Sequence, residues 1–493
     1  MPYFPEKGKI GTMEAKQDTQ NLLPTIFVVL GATGDLMRRK LAPGLFHLYE
    51  QGKLPSLFQV IGFSRDELAT ESFQKMVADI VAQRVPGADL AVVGRFKKFF
   101  VYQQGLFEEN EGYQSMALFL GQKDGEWMVC ANKLFYVAAS PQYYETIFRK
   151  LASSGLTKPC SPEEGWTRVI VEKPFGKDLE TAKELDGLLG KLFQEEQIYR
   201  IDHYLGKETV QNILAFRFSN YFLDPAWDNR GIERIHIALM EQETVGERGG
   251  FYEGIGALRD VGQNHVLQLL ALFCMENPGT FGAAEVRKAR AEILRALKIW
   301  KGSNIEKMTV RGQYEGYRQE KGVDANSLTE TYFRIETYVD NKRWKGVPII
   351  LESGKAMPED RVEVTVTFRH PTPCLCPPAG EAGSPGKHYQ NILRYRVQPK
   401  EGIHISFWVK KPGPAMVLEE KDFIFDYKEA FGAEQVADAY ERLLLSVIHG
   451  DQTLFVSTEE IMAEWEFVDP ILRAWQNNAS PLEIYQKNTM PST

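Results

Sequence analysis

The segment from Thr25 to Leu36 (TIFVVLGATGDL) constrains the fold of this chain more than any other, because an apolar run passes directly into a glycine turn. The apolar run predicts a buried strand. The apolar spacing from Leu36 to Gln51 then predicts a helix that ends at Gly52. A strand, a glycine turn and a helix in this order are the context in which many proteins bind the phosphates of a nucleotide.

The turn itself has the chemistry that a pyrophosphate needs. Glycine permits a tight turn and a close approach of the ligand, and the start of the helix offers free N–H groups with a partial positive charge. The pattern departs from G-x-G-x-x-G because Met37 occupies the last glycine position, so a strand–turn–helix without a ligand remains an alternative. The residues predicted to bind a dinucleotide cofactor here are Gly31, Ala32, Thr33, Gly34, Asp35 and Leu36.

Short apolar runs alternate with helical stretches up to about residue 205, which is typical of a doubly wound, mostly parallel sheet. The fold class predicted for this part is therefore an α/β Rossmann domain over residues 25–205, preceded by a flexible segment over residues 1–24. The further strands are predicted at Phe58–Phe63, Phe99–Tyr102, Lys133–Ala138 and Arg168–Glu172, with helices at Glu71–Gln83 and Pro141–Ser153.

The pattern changes beyond residue 205, where runs with a period of two or rich in β-branched residues predict a mainly antiparallel sheet with one covered face. The prediction is a larger α+β domain over residues 206–493. Its strands are predicted at Arg234–Met240, Thr331–Val339, Val362–Arg369 and His404–Lys410, its helices at Asp260–Met275, Ala283–Leu297 and Ala433–His449, and a Pro/Gly-rich loop at Pro371–Lys387.

Size and charge exclude several classes of protein. A chain of 493 residues is too long for one compact core, and a formal net charge of −8 argues against a nucleic-acid partner. The longest apolar run, Val266 to Met275, is about half of what a membrane span needs, so no membrane partner is expected. Five cysteines and the lack of an apolar leader predict a cytoplasmic location, and Cys374 and Cys376 lack the further ligands of a metal site.

The end of the second predicted strand bears on the choice of cofactor. NAD-binding proteins usually carry an acidic residue there for the ribose hydroxyls, whereas an arginine accommodates the 2′-phosphate of NADP. Arg65 follows Ser64 at this point and favours NADP, with NAD as a weaker alternative. An ordinary solvated arginine remains the competing interpretation, and the adjacent Asp66 and Glu67 would weaken the preference.

Two compact motifs carry most of the chemistry. The first is Glu172–Gly176 (EKPFG), and the second is Arg200–Glu208 (RIDHYLGKE), which brings an acid, an imidazole, a phenol and an ammonium within six residues. Cations suit a phosphate and the neutral polar groups suit hydroxyls, so this cluster favours an anionic polyol as ligand.

At these motifs the chain resembles the glucose-6-phosphate dehydrogenase family. RIDHYLGKE is similar to the signature of that family, and the resemblance extends in the same order through GATGDLMRRKLAPGLFHLY, VEKPFGKDLETA, GIGALRDVGQNHVLQLLAL, PIILESGKAM and GDQTLFV, over about residues 25–475. It implies oxidation of D-glucose 6-phosphate at C1 to 6-phospho-D-glucono-1,5-lactone with hydride transfer to NADP+, the first oxidative step of the pentose phosphate pathway. It also implies a cytoplasmic homodimer or dimer of dimers.

The resemblance implies a role for individual residues. His265 matches the general base that takes the proton from the C1 hydroxyl, and Asp202 matches the carboxylate that orients it. An imidazole that titrates near neutral pH suits this step. The residues that match the substrate site are Lys40, Lys173, His203, Tyr204, Lys207, Glu241, Asp260, Lys355 and Gln398, and those that match cofactor contacts are Tyr136 and, again, Lys173.

Two departures limit what the resemblance implies. Asp360 stands where many family members have a basic residue, and because Arg361 follows it, a substrate contact from Arg361 is left open. Glu352 stands where members with a second, structural NADP have an arginine, so no structural NADP is expected.

Two other functions are compatible with parts of the sequence. A sugar oxidoreductase of the glucose–fructose oxidoreductase type would share the motif Glu172–Pro174, but it would lack RIDHYLGK. A non-catalytic binding protein on the same scaffold would ordinarily have lost the histidine base or the phosphate cluster. Outside the motif, His265 on an apolar helix would be an ordinary core histidine.

Overall fold

The computed structural model describes residues 24–161, 164–373, 389–432 and 438–491. The chain divides into two compact units: the first is Met1–Val171 with Leu444–Gly450, and the second is Glu172–Leu443 with Asp451–Thr493. This division does not test the predicted domain boundary near residue 205, which stays a prediction.

The first unit contains a parallel sheet of five strands, in the order β5-β4-β1-β2-β3. Every residue of β1, β2 and β4 is buried, as expected for strands covered on both faces. The predicted Rossmann architecture is confirmed. The strands are β1 Thr25–Leu30, β2 Phe58–Ser64, β3 Phe100–Gln104, β4 Asn132–Val137 and β5 Thr167–Val171.

The described part of the first unit contains more helices than were predicted. The predicted helix from Leu36 is present, but its start widens into a π-helix at Met37–Leu41. The helix α4, Asn110–Trp127, was not predicted because its few buried apolar residues, such as Tyr113 and Met116, are interrupted by glycines and charges. The helices are α1 Ala42–Glu50, α2 Thr70–Arg84, α3 Leu90–Phe96, α4 Asn110–Trp127 and α5 Tyr144–Ser153.

The second unit is dominated by a sheet of nine strands, in the order β14-β13-β12-β11-β7-β10-β9-β8-β16. Its neighbours are antiparallel except for the pairs β7–β10 and β8–β16, so the predicted mainly antiparallel sheet is confirmed. The strands of the sheet are β7 Ile232–Met240, β8 Thr309–Tyr314, β9 Tyr332–Thr337, β10 Ile349–Gly354, β11 Arg361–Phe368, β12 Ile392–Gln398, β13 Gly402–Lys410, β14 Leu418–Asp426 and β16 Leu482–Tyr485.

Two short strands of the second unit, β6 Ile198–Ile201 and β15 Phe455–Val456, pair antiparallel with each other. The predicted helix Asp260–Met275 is present, but it begins as a π-helix at Leu258–Val266 before it continues as α9, Leu267–Cys274. The helices assigned to residues 172–491 are α6 Leu179–Leu192, α7 Glu208–Phe218, α8 Gly249–Tyr252, α9 Leu267–Cys274, α10 Ala283–Arg295, α11 Ser303–Met308, α12 Tyr427–Phe431, α13 Ala439–His449 and α14 Thr458–Gln476.

Three predicted segments fall partly outside the described residues. These are the N-terminal segment, the Pro/Gly-rich loop with Cys374 and Cys376, and the first residues of the helix predicted at Ala433–His449. Among the helices that the structure describes, none has the length and apolar character needed to cross a membrane.

Candidate active site

Asp202 and His265 form a buried hydrogen-bonded pair in the second unit. Asp202 comes directly after β6, and His265 lies on the π-helix Leu258–Val266. The Nδ1–H of His265 donates to Oδ1 of Asp202 at 2.6 Å, and the side chains are 3% and 2% exposed. The backbone N–H of Tyr204 donates to the same oxygen at 2.9 Å, so the carboxylate is held from two sides.

The charges of this pair follow from their surroundings. Burial alone would raise the pKa of Asp202, but the His265 imidazole and its hydrogen bond outweigh burial and lower the pKa to about 2. Burial lowers the pKa of His265, and the Lys173 ammonium adds to this against the opposing attraction of Asp202. At neutral pH, Asp202 is therefore ionised and His265 is a neutral imidazole, with its Nδ1 proton directed at the carboxylate.

Lys173 meets the other nitrogen of the imidazole. Its Nζ lies 3.1 Å from Nε2 of His265 and 2.8 Å from the backbone oxygen of Asp260, to which it donates. Because Nδ1 carries the proton, Nε2 has a free lone pair and accepts from the ammonium. The nitrogen that can take a proton is thus Nε2.

Aromatic rings enclose the imidazole. The ring of Tyr204 stacks on His265 at 4.1 Å between centroids, and His203 meets it edge-on at 4.8 Å. Burial lowers the pKa of His203 well below its ordinary value, so His203 is neutral at neutral pH. Tyr440, which the sequence analysis did not single out, lies near-parallel to His203 at 6.3 Å and donates to Glu172 at 3.2 Å.

Glu241 and Lys355 meet because the strands that precede them are parallel neighbours. Met240 ends β7 and is paired with Gly354 at the end of β10, so the next residue of each strand emerges at the same edge of the sheet. Nζ of Lys355 lies 2.5 Å from Oε2 of Glu241. Asp260 lies close to the ammonium groups of Lys173 and Lys355, which outweigh its burial and lower its pKa.

Lys207 and Gln398 are joined by a hydrogen bond between the Lys207 ammonium and Oε1 of Gln398. The same ammonium lies over the ring of Tyr204, 4.7 Å from its centroid. Lys207 is the residue before α7, and Gln398 ends β12, so the pair links the signature motif to the large sheet.

Most of the predicted substrate residues of this unit line one cavity of about 380 Å³. Asp202, Lys207 and Gln398 are absent from its lining. Asp202 is hydrogen-bonded to His265, which does line the cavity. The predicted residues that line it are Lys173, His203, Tyr204, Glu241, Asp260, His265 and Lys355.

Sequence reasoning missed several lining residues, among them the polar residues Lys177, Arg248, Arg259 and Asn264. Asn264 precedes His265, and its Oδ1 accepts the His265 backbone N–H at 2.7 Å. Arg248 stands in the string GERGGFY, whose charge next to two glycines is the signal that could have singled it out.

The glycine turn of the first unit lies tightly against the residue that follows β4. Gly31 has φ +100°, and a Cβ there would lie 2.5 Å from the backbone oxygen of Ala138, so only glycine fits. Thr33 and Ser64 are joined through their hydroxyls at 2.9 Å, which ties the turn to the end of β2. Asp35 is exposed and pairs with Arg39 at 3.4 Å.

The other predicted cofactor and substrate residues of the first unit lie on different elements. Arg65 is exposed and comes directly after β2. Tyr136 is fully buried inside β4, with its ring 6.0 Å from that of Phe27. Lys40 lies on the π-helix Met37–Leu41. The predicted contacts of Tyr136 and Lys40 stay predictions.

The two departures have structural explanations. Asp360 accepts the backbone N–H of Gln242 at 2.8 Å, while Arg361 begins β11 and pairs with Glu359 at 3.5 Å. Glu352 is buried between His236 at 2.7 Å and the Tyr332 hydroxyl at 2.6 Å. The Glu352 carboxylate is therefore occupied by hydrogen bonds to side chains of the same sheet.

Comparison with known families decides between the alternatives. Residues 28–212 match the model of the glucose-6-phosphate dehydrogenase NAD binding domain, and residues 214–493 match that of the C-terminal domain. The chain belongs to the glucose-6-phosphate dehydrogenase family. It therefore has the activity of a glucose-6-phosphate 1-dehydrogenase, an oxidoreductase that acts on a CH–OH group with NADP as cofactor.

Relatives of the glucose-6-phosphate dehydrogenase family match over most of their length. The chain is 39% identical to glucose-6-phosphate 1-dehydrogenase of Chlamydia pneumoniae, covering 93% of this chain and 91% of the relative. It is 40% identical to that of Aggregatibacter actinomycetemcomitans, covering 94% of each chain.

Solved structures of the family agree with the fold. A glucose-6-phosphate dehydrogenase in complex with its substrate glucose-6-phosphate has a TM-score of 0.86 and 32% identity, covering 96% of each chain. The glucose-6-phosphate 1-dehydrogenase of Mycobacterium avium has a TM-score of 0.80 and 30% identity, covering 95% of this chain and 94% of that one.

Proposed function

We propose that His265 is the general base of this dehydrogenase and takes the proton from the C1 hydroxyl of D-glucose 6-phosphate. The observation that carries this proposal is the buried hydrogen bond of 2.6 Å between Nδ1 of His265 and Asp202. That bond fixes the tautomer and leaves the lone pair of Nε2 at the cavity. NADP, when bound, accepts the hydride that leaves C1, and 6-phospho-D-glucono-1,5-lactone is the product.

Asp202 acts through His265. As the imidazole takes up the proton it becomes a cation, and the ionised carboxylate beside Nδ1 stabilises that charge. Lys173 opposes this charge because its ammonium lies 3.1 Å from Nε2. We propose that bound sugar displaces Lys173 from Nε2 and takes its place as hydrogen-bond partner, while Lys173 remains tied to Asp260.

The phosphate of the substrate is held, in this proposal, by His203, Tyr204 and Lys207. Lys207 supplies the charge, since burial holds His203 neutral in the free protein. His203 and the Tyr204 hydroxyl contribute neutral donors. The dianionic phosphate favours protonation of His203, so binding and proton uptake are coupled. Lys40 is proposed as a further contact from the first unit.

We assign the hydroxyls of the sugar to two carboxylates and one ammonium group that line the cavity. Glu241 and Asp260 accept hydrogen bonds from them, and Lys355 donates. Gln398 completes the set through its link to Lys207.

For the cofactor, we propose that the turn Gly31–Leu36 holds the pyrophosphate of NADP and that Arg65 pairs with its 2′-phosphate. The support is the turn after β1, whose positive φ at Gly31 only glycine adopts readily, and the exposed guanidinium of Arg65 after β2. NAD, which lacks the 2′-phosphate, is the weaker alternative. Tyr136 and Lys173 are the remaining proposed cofactor contacts.

We propose that the reaction is the first oxidative step of the pentose phosphate pathway and that it takes place in the cytoplasm.

We propose that a second copy of this chain covers the outer strands of the large sheet, giving a homodimer or a dimer of dimers. Phe407, Val409, Phe423 and Phe425 share one face of β13 and β14 and are 38%, 40%, 63% and 37% exposed. An apolar patch of this kind is characteristic of a protein interface. Phe423→Asp should shift the sedimentation of the protein to the monomer. An unchanged oligomer would place the interface elsewhere.

The substrate assignment is tested by following the absorbance of the reduced nicotinamide with glucose 6-phosphate, glucose, and each cofactor. Charge-assisted hydrogen bonds to the phosphate contribute about 1.5–3 kcal/mol each, so glucose should be a poor substrate. Equal kcat/KM for glucose and its 6-phosphate would contradict the proposal and favour a sugar oxidoreductase without a phosphate site.

A further inference from the structure

We propose that Cys130 and Cys160 form a reversible disulfide when the protein meets a hydroperoxide, a modification site of the first unit that is independent of the dehydrogenase reaction. Cys130 lies between α4 and β4, and Cys160 lies between α5 and β5. Their Sγ atoms and a carboxylate oxygen of Asp124 all lie within 4.8 Å of one another.

The two thiols are packed together by a glycine. Gly165 has φ +66°, and a Cβ there would lie 3.0 Å from Sγ of Cys160 and 3.1 Å from Cβ of Cys130. The side chains therefore occupy the space that a larger residue would take. Cys160 is exposed, and its short segment is built of turns rather than a helix or strand. It can thus move the small distance needed to reach the S–S bond length of about 2.0 Å.

Lys133 distinguishes the two thiols. Its ammonium lies 3.5 Å from Sγ of Cys160 and 2.6 Å from Asp124. A neighbouring ammonium stabilises a thiolate, which is the reactive form. The hydrogen bond to Cys160, with burial adding to it, raises the pKa of Cys130 to about 11, so Cys130 keeps its proton. Because Cys160 is exposed whereas Cys130 is half-buried, a hydroperoxide meets Cys160 first.

The same ammonium favours a disulfide over a bound metal. It contacts both Cys160 and Asp124, two of the three groups that a metal ion would need as ligands here. A metal would have to displace a cation that already pairs with the carboxylate.

The chemistry proceeds in two steps. The Cys160 thiolate attacks one oxygen of hydrogen peroxide, the O–O bond breaks, and the leaving hydroxide takes a proton to become water, which leaves a sulfenic acid on Cys160. Sγ of Cys130 then attacks the sulfur of the sulfenic acid. The S–O bond breaks, the thiol proton goes to the departing oxygen, and a second water forms. Two thiols lose two protons and two electrons in all, and these reduce one peroxide to two waters.

The expected consequence is on stability. The disulfide would close a loop of about thirty residues and so restrict the unfolded chain. It lies at the beginning of β4, whereas the glycine turn follows the end of the neighbouring parallel strand β1. The bond should therefore raise the melting temperature without changing kcat or KM.

The test uses the full-length protein with Cys374 and Cys376 replaced by serine, treated with hydrogen peroxide and mapped by peptide mass spectrometry under non-reducing conditions. We expect a loss of two hydrogens in a peptide pair that joins Cys130 to Cys160, and a higher Tm that a reductant reverses. Cys130→Ser and Cys160→Ser should each abolish the link, whereas the buried Cys274→Ser should retain it.

Lys133 gives a second measurement that does not depend on folding of the cysteine variants. Lys133→Met should slow alkylation of Cys160 about tenfold, and Lys133→Arg, which keeps the charge, should slow it much less. Overoxidation of Cys160 with Cys130 left free, or stoichiometric binding of Zn²⁺ in place of the link, would overturn the proposal.

Discussion

Nδ1 of His265 lies 2.6 Å from Oδ1 of Asp202 although the residues are separated by 63 positions in the chain. Both are buried, and the second oxygen of Asp202 has no hydrogen-bond partner among the described residues. The carboxylate thus contacts the imidazole through one oxygen. The proton of the imidazole is held on Nδ1, the nitrogen that faces away from Lys173.

His265→Asn should lower kcat by at least about 10²-fold, because the asparagine cannot accept the C1 hydroxyl proton. Binding of glucose 6-phosphate should change little, since the phosphate cluster and Glu241 remain. Steady-state kinetics and a binding titration separate the two effects. His370→Asn, at a half-buried histidine outside the cavity, is the matched control. Near-normal turnover would remove His265 from the base role, and lost binding would make it a substrate ligand.

Asp202→Asn should cost less than loss of the imidazole itself. The asparagine leaves Nε2 in place but cannot stabilise the imidazolium, and it no longer fixes the Nδ1–H tautomer. We expect a lower kcat with a nearly unchanged KM for glucose 6-phosphate. A variant as inactive as His265→Asn would mean that the carboxylate is indispensable to the geometry of the pair.

The pH dependence of kcat/KM should reveal the cation beside His265. Protonation of the imidazole abolishes its base function, so the rate falls on the acid side through the pKa of His265. Burial, and then Lys173, lower that pKa. Removing the ammonium raises it, so Lys173→Met should move the acid limb to higher pH. Lys173→Arg keeps a cation and should leave the limb nearly in place. A limb at the same pH in Lys173→Met would show that the ammonium does not act on His265.

Arg65→Ala should raise the KM for NADP about tenfold or more, as expected for loss of a charge-assisted hydrogen bond to the 2′-phosphate. The KM for NAD should stay nearly constant, because NAD has no phosphate there. Arg95→Ala, another exposed arginine of the same unit, controls for net charge. If both cofactors weaken equally, Arg65 has a structural role only.

Glu330 should make stability depend on pH. Its Oε1 accepts the N–H of Leu258, the first residue of the π-helix that carries His265, at 3.1 Å. Burial raises its pKa to about 7 from an ordinary value of 4.5. The folded state then holds a proton that the unfolded state has released, so stability is lost as pH rises from the unfolded to the folded pKa.

The size of this effect is on the order of 3 kcal/mol, at about 1.4 kcal/mol for each unit of pKa difference. Glu330→Gln cannot ionise, so its melting temperature should fall less than that of the parent between about pH 5 and about pH 8. Glu292→Gln, an exposed carboxylate on α10, should leave the dependence unchanged. An equal fall in parent and Glu330→Gln would assign the pH dependence to other groups.

The sequence was sufficient for the features that depend on neighbouring residues. The apolar run before Gly31 predicted β1 and the turn, because side-chain burial and the φ freedom of glycine are local properties. The alternation of strands and helices predicted a parallel sheet in the same way. The capping box of Ser457 and Glu460, which could have predicted the start of α14, was a local signal that went unused.

The resemblance carried in RIDHYLGKE and GQNH identified the family and nominated Asp202 and His265, but their geometry was beyond the reach of the sequence. The π-helix at Leu258–Val266 was not predicted, because widening a helical turn needs a compensating tertiary environment rather than a different apolar period. That helix places both Asp260 and His265 at the cavity.

Only the tertiary structure decided which charges meet. Lys173 reaches His265 across 92 positions, and Glu241 meets Lys355 because β7 and β10 are parallel neighbours in a mainly antiparallel sheet. These distances set the protonation of the base through burial and Coulomb interaction, which depend on position in space rather than on separation along the chain. The amino-acid sequence by itself thus determined the family and the candidate residues, whereas packing determined that the imidazole is neutral and oriented, with Nε2 directed at Lys173.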